Sequence, residues 1–134
     1  MQVHVEGYGL GGKVRLGFPE ALAQAKEALK AEGFGVLSEI DLQATLKAKL
    51  GVDRLPYVIL GACNPTLAHQ ALEHEGDLGL LLPCNVVVYE TAEGVWVKAV
   101  EPGKMLSVVE NPALDPIAAQ VREKLSRVLE RLPA

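Results

Sequence analysis

The chain has 134 residues, 49% of them apolar, with a formal charge of −4 and a pI near 5.4. That length fits one domain over 1–134, with enough apolar material for a core that needs neither disulfides nor a metal. The acidic balance, with Lys and Arg scattered rather than clustered, argues against nucleic acid and against a membrane surface as partner, since both call for a basic face.

The opening Met1-Gln2-Val3-His4-Val5-Glu6 lacks the basic flank and apolar run of a secretory leader. No stretch approaches the ~20 apolar residues of a membrane span. Two cysteines are too few for a secreted disulfide scaffold. The reading is a cytoplasmic protein with reduced thiols.

Alternation over Gln2–Tyr8, with Val3 and Val5 on one side and His4 and Glu6 on the other, predicts a half-buried strand. Gly7, Gly9, Gly11 and Gly12 then read as a flexible connection. Phe18, Leu22, Ala25 and Leu29 recur at helical spacing, Pro19 suits the first turn and Gly33 the stop, which predicts a helix near 19–32. Phe34–Ile40 is a second strand. Asp41 caps a short helix bearing Leu42, Leu46 and Leu50, ended by Gly51. Pro56–Ala62 is the most apolar strand, read as central and buried on both faces.

Asn64 and Pro65 mark the start of another helix, with Leu67, Ala68, Ala71 and Leu72 on its apolar side. Leu78–Leu82 fits loop, turn or short strand. Asn85–Glu90 and Val95–Val100 form a hairpin around Thr91-Ala92-Glu93-Gly94. Pro102 begins a short turn or helix through Leu106. Asp115 caps a last amphipathic helix on which Ile117, Val121, Leu125, Val128 and Leu132 step by three or four. The order implies an α+β fold: a mixed or antiparallel sheet of about four to five strands, with helices mainly on one face. The other face, if Val-rich, needs covering, and a homodimer is one way to cover it.

Two Cys-Asn pairs carry the chemical interest. Gly61-Ala62-Cys63-Asn64-Pro65 lies where a strand hands over to a helix, and Leu82-Pro83-Cys84-Asn85 where the hairpin begins. Cys63 stands one residue before a helix start, whose free N–H groups favour a thiolate or a bound anion. The plainer reading is a small buried side chain. If Cys63 and Cys84 meet, they could form a redox disulfide or give two ligands to a soft metal. A third ligand would have to be His4, His69 or His74. His69 and His74 sit about 140° apart around a helix, so they do not share a site. A metal site would therefore need both chains of a dimer. His69 and Glu73 share a helix face, and read most simply as a solvated pair. Gly-x-Gly-x-Gly-Gly lacks the spacing and acidic partner of a dinucleotide loop, and no Gly-x-Ser-x-Gly occurs. Trp96 reads as a packing residue or an interface anchor.

Phe34-Gly35-Val36, Tyr57 to Pro65 and Leu81 to Asn85 together resemble the DUF302 family of small bacterial and archaeal domains. The resemblance covers nearly the whole chain. It implies a small α+β domain that dimerises, and no established reaction.

Two functions from different classes follow. One is a homodimeric module that holds a small ligand, of anionic character, near Cys63, Asn64, Cys84 and Asn85. The other is a thiol-dependent enzyme or redox sensor using Cys63 with Cys84 as resolving thiol. The first fits better, because a reactive cysteine needs an exposed basic setting and none is visible in the sequence.

Overall fold

The structure is a computed structural model that describes all residues, 1–134. One antiparallel sheet organises it. Its strands are β1 (His4–Glu6), β2 (Gly9–Val14), β3 (Gly35–Asp41), β4 (Tyr57–Cys63), β5 (Cys84–Thr91) and β6 (Gly94–Val100). They lie in the order β1-β2-β6-β5-β4-β3, and every neighbouring pair is antiparallel. The helices are α1 (Phe18–Ala31), α2 (Leu42–Leu50), α3 (Pro65–His74), α4 (Pro102–Leu106) and α5 (Asp115–Glu130).

The sheet has six strands rather than four or five, because the glycine-rich segment is a strand and not a connection. Leu10 and Val14 of β2 face the core, and Gly11, Gly12 and the exposed Lys13 lie between them. Gly11 has φ +139°, and a Cβ there would collide with the Val97 carbonyl of β6. Glycine therefore lets β2 lie close against its neighbour, at the cost of hiding the strand's apolar alternation. The preceding segment forms only the three-residue edge strand β1, and all of it is exposed instead of half-buried.

Alternation along the inner strands separates two faces. Val86 and Val88 of β5, and Val95, Val97 and Ala99 of β6, point to one face and are buried. Asn85, Val87 and Tyr89, and Trp96, Lys98 and Val100, point to the other and stay at least partly exposed. Helices α1 and α5 pack on the first face. The stripe α1 presents is mostly small: Ala21, Ala25 and Ala28 with Leu29, all buried. Small residues let the helix sit close to the valine rows. Helix α5 supplies the bulk, and Ile117, Val121, Leu125, Val128 and Leu132 are buried as their spacing predicts. Strand β4 buries the side chains of Val58, Leu60 and Ala62, along with Gly61, and leaves Tyr57 and Ile59 partly exposed. It is buried on one face, since no helix lies over the second.

Local signals set most boundaries. Asp41 accepts a hydrogen bond from the Ala44 N–H at 2.9 Å, and Asn64 accepts one from Leu67 at 3.1 Å. Each satisfies an otherwise free amide of the first turn. Leu78–Leu82 resolves mainly as a 3₁₀ turn over Gly76–Leu80 with Leu78 buried. Asp115 is the first residue of α5 and caps nothing. The capping falls to Asn111, whose side chain accepts from Ala113 at 3.0 Å and starts a 3₁₀ turn that runs straight into α5. Glu101 is buried at the start of α4, where its carboxylate accepts from the Gly103 and Lys104 amides.

One ion cluster ties the two large helices together. Glu32, at the end of α1, accepts from Arg127 Nε at 2.8 Å and from Arg131 Nη2 at 2.6 Å, both from the last part of the chain. Hydrogen bonds from Arg127 and then Arg131 hold the Glu32 carboxyl below its ordinary range. A lowered carboxylate adds stability above its ordinary pKa and loses it as the pH falls through the lowered value. Glu32→Gln should therefore lower the melting temperature at neutral pH. The gap between the proteins should close as the pH drops below the carboxylate range, measured by calorimetry across pH.

Candidate functional site

Strand register decides what the two Cys-Asn pairs can do together. Ala62 pairs with Cys84, and Gly61 with Asn85. Cys84 is already a strand residue, so it and Asn85 point to opposite faces. Cys63, Asn64 and Cys84 line one apolar cavity on the helix-covered side, closed by residues such as Leu67, Met105 and Val121. Asn85 lies on the open face. Three of the four residues singled out in the sequence are brought together, and the fourth is separated by the thickness of the sheet.

The cavity by the cysteines measures about 40 Å³. Small-molecule sites run to roughly 300–1,000 Å³. The space fits a packing gap between α3, α4 and α5. Asn64 is occupied as the cap of α3. Cys84 is buried, and desolvation, with the Cys63 thiol adding to it, pushes its pKa up to about 11. At neutral pH it remains a thiol, and a thiol is a poor nucleophile and a poor ligand. Both cysteines are free. Nowhere do three His, Cys, Asp or Glu side chains gather as a ligand set. His69 and Glu73 stand 3.6 Å apart with both side chains largely exposed, a solvated helix pair.

The open face carries a different and roomier arrangement. A concavity of about 650 Å³ lies over β5, β6 and the β1–β2 turn. Val87 and Val100 line it together with Tyr8, Tyr57, Tyr89, Asn85, Lys98 and Glu6. The rows come from pairing: Tyr57, Tyr89 and Trp96 are cross-strand neighbours, as are Ile59, Val87 and Lys98. Tyr57 and Tyr89 stack with centroids 5.1 Å apart. Lys98 Nζ lies 5.9 Å from the Tyr89 ring and 5.2 Å from the Trp96 ring. The Tyr89 hydroxyl, with Glu6 nearby at 3.7 Å, raises the Lys98 pKa above its ordinary value. Trp96 is fixed by its indole N–H, which donates to Thr91 Oγ1 at 3.1 Å.

Apart from Asn85, and from Tyr57 as the start of the strand segment that carries the family resemblance, these residues escape a reading by motif, because they are far apart in sequence and ordinary in type. The usable signal is the strand alternation itself. Once both faces are assigned, Tyr57, Tyr89, Trp96 and Lys98 fall on the face that no helix covers.

Comparison with known proteins agrees with this frame. The family model for the domain of unknown function DUF302 matches residues 12–132. The chain belongs to the DUF302 family. The crystal structure of an uncharacterised conserved DUF302 protein from Bacillus stearothermophilus superposes with a TM-score of 0.88, at 33% identity. The match spans 95% of this chain and 99% of that one. A search of curated proteins finds no match. DUF302 membership thus fixes the fold and leaves the activity to be read from the site. No helix is long and apolar enough to cross a membrane.

Burial makes the two DUF302 thiols unequal. Iodoacetamide at neutral pH should modify Cys63 in the native protein and leave Cys84 unmodified until denaturant is added, as read by peptide mass spectrometry. Equal native rates would contradict the buried, protonated state of Cys84. Asn64→Ala should cost about 1 kcal/mol of stability through the lost cap, measured by urea unfolding.

Proposed function

We propose that this protein is a non-catalytic binding module whose ligand site is the concave open face of the sheet. The observation that carries the reading is the 650 Å³ concavity lined by Val87 and Val100, stacked tyrosines and one cation, Lys98, with Glu6 beside it. That volume suits a small organic molecule. The chemistry suits a flat, partly apolar anion: the aromatic rings offer faces for stacking, Lys98 offers charge, and the Asn85 amide offers a directional donor and acceptor. Of the residues near the Cys-Asn pairs, Asn85 is the one this reading retains.

The thiol-enzyme alternative has less support. Its resolving thiol would be Cys84, which burial keeps protonated. A metal held between two chains also needs Cys84, and a residue 7% exposed beneath α-helices does not reach a second chain. Two free thiols fit a reducing, cytoplasmic setting.

Anilinonaphthalene sulfonate, a flat aromatic anion that fluoresces on binding, is a direct probe. The chain has a single tryptophan, Trp96, whose ring lies 5.2 Å from Nζ of Lys98, a residue that lines the concavity. Dye bound there should quench Trp96 by energy transfer. Tyr89→Ala and Lys98→Ala should each weaken this quenching by about tenfold in dye affinity, the size of one lost stacking or charge contact. Quenching that persists unchanged in both variants would rule out the concavity as the site.

A further inference from the structure

The concavity holds two opposite charges close together. Among the residues that line it, only Glu6 and Lys98 are charged, so its lining is neutral. The sheet register explains how they meet. Glu6 of β1 pairs with Gly9 of β2, and Gly9 with Val100 of β6; His4 pairs with Gly11, and Gly11 with Lys98. Strand β2 therefore puts no side chain between β1 and β6 at these two positions, and the Glu6 carboxylate approaches Lys98 Nζ to 3.7 Å across bare backbone. A neighbouring hollow of about 370 Å³ shares both residues and is lined by Gly11 and Gly12. The pair thus has open space on two sides.

The contact is loose. Tight pairs of this chain, Lys47 with Asp53 and Arg127 with Glu32, close to 2.7 and 2.8 Å. At 3.7 Å neither charge of the Glu6–Lys98 pair is satisfied by a direct hydrogen bond from the other. The Glu6 side chain is 81% exposed and that of Lys98 30%. The carboxylate has room to turn toward a guest, while the Tyr89 and Trp96 rings steady the ammonium.

This arrangement selects by charge. A plain anion that approaches Lys98 also approaches Glu6, which repels it. A plain cation meets the reverse. A molecule that carries both charges meets an opposite charge at each. Spacing narrows the class. The two protein charges lie 3.7 Å apart, so the ligand's charges must be near neighbours rather than at opposite ends of the molecule. The ammonium and carboxylate of an α-amino acid meet that condition, being joined through one carbon by two bonds of about 1.5 Å. The stacked Tyr57 and Tyr89, with Val87, offer its side chain an aromatic and apolar surface.

We propose that the concavity takes an aromatic α-amino acid, with its carboxylate on Lys98 and its ammonium on Glu6. The proposal rests on the concavity being the ligand site, and it makes Glu6 the residue that selects a zwitterion over a plain anion.

Three probes that share a ring and differ in charge test it by calorimetric titration of the full chain at neutral pH. They are L-phenylalanine, 3-phenylpropionate, which lacks the ammonium, and phenethylamine, which lacks the carboxylate. Phenylalanine should bind at least about tenfold more tightly than either, the size of one lost charge contact. Glu6→Gln should move two of them in opposite directions: phenylalanine should weaken about tenfold, and phenylpropionate should gain affinity as the repelling charge goes. A badly folded variant would lose both, so opposed changes read the charge itself. Equal affinity for phenylalanine and phenylpropionate, no binding of phenylalanine, or a Glu6→Gln variant in which the two move together overturns the proposal. The dye separates that failure from failure of the site. If Trp96 quenching depends on Tyr89 and Lys98, the concavity stands and only the amino acid is wrong; if quenching is unchanged in both variants, the concavity itself falls.

Discussion

Everything in this fold depends on one sheet being covered on one side only. The buried valine rows of β5 and β6 need an apolar lid, and α1 and α5 together supply it. The alanine stripe of α1 brings that helix close, while the branched residues of α5 fill the remaining depth. Both helices are spent on the same face, and Glu32 with Arg127 and Arg131 holds them side by side there. With no helix left for the other face, its side chains meet solvent.

This division also sorts the chemistry. Groups on the covered side are constrained by packing: Cys84 is desolvated, Asn64 is committed to a helix start, and the gap between them is too small for a guest. Groups on the uncovered side stay at least partly open to water. Lys98 holds its charge among aromatic rings, Asn85 keeps its amide in water, and Tyr57 and Tyr89 present a flat edge. The most distinctive residues of the sequence therefore serve the fold, and ordinary ones form the candidate site.

Much of the architecture is legible in the sequence. The caps Asp41 and Asn64, the hairpin at Thr91–Gly94 and the stripe of α5 each follow from short-range rules that tertiary contacts do not override. Strand β2 is not legible, because glycine removes the side chains whose alternation would announce it. The cap of the last helix is misplaced for a related reason: Asp115-Pro116 looks like a start, but Asn111 begins the turn earlier. The site is legible only in part. Cys84 and Asn85 are adjacent in sequence and opposed in space, and that follows only when the first residue of β5 is known.

Gly61 has a consequence of its own. A Cβ at this position would strike the Ser38 hydroxyl of β3 and the Pro83 ring ahead of β5, which close over it from either side. Two strands and the segment leading into a third thus meet at one missing side chain. Substitution at 61 is not an isolated event: it must wait for a smaller residue at 38 and a displaced ring at 83. Among relatives these three positions should drift as a unit or not at all, and a homologue with a side chain at 61 should show its change recorded twice more, at 38 in β3 and at 83 just before β5.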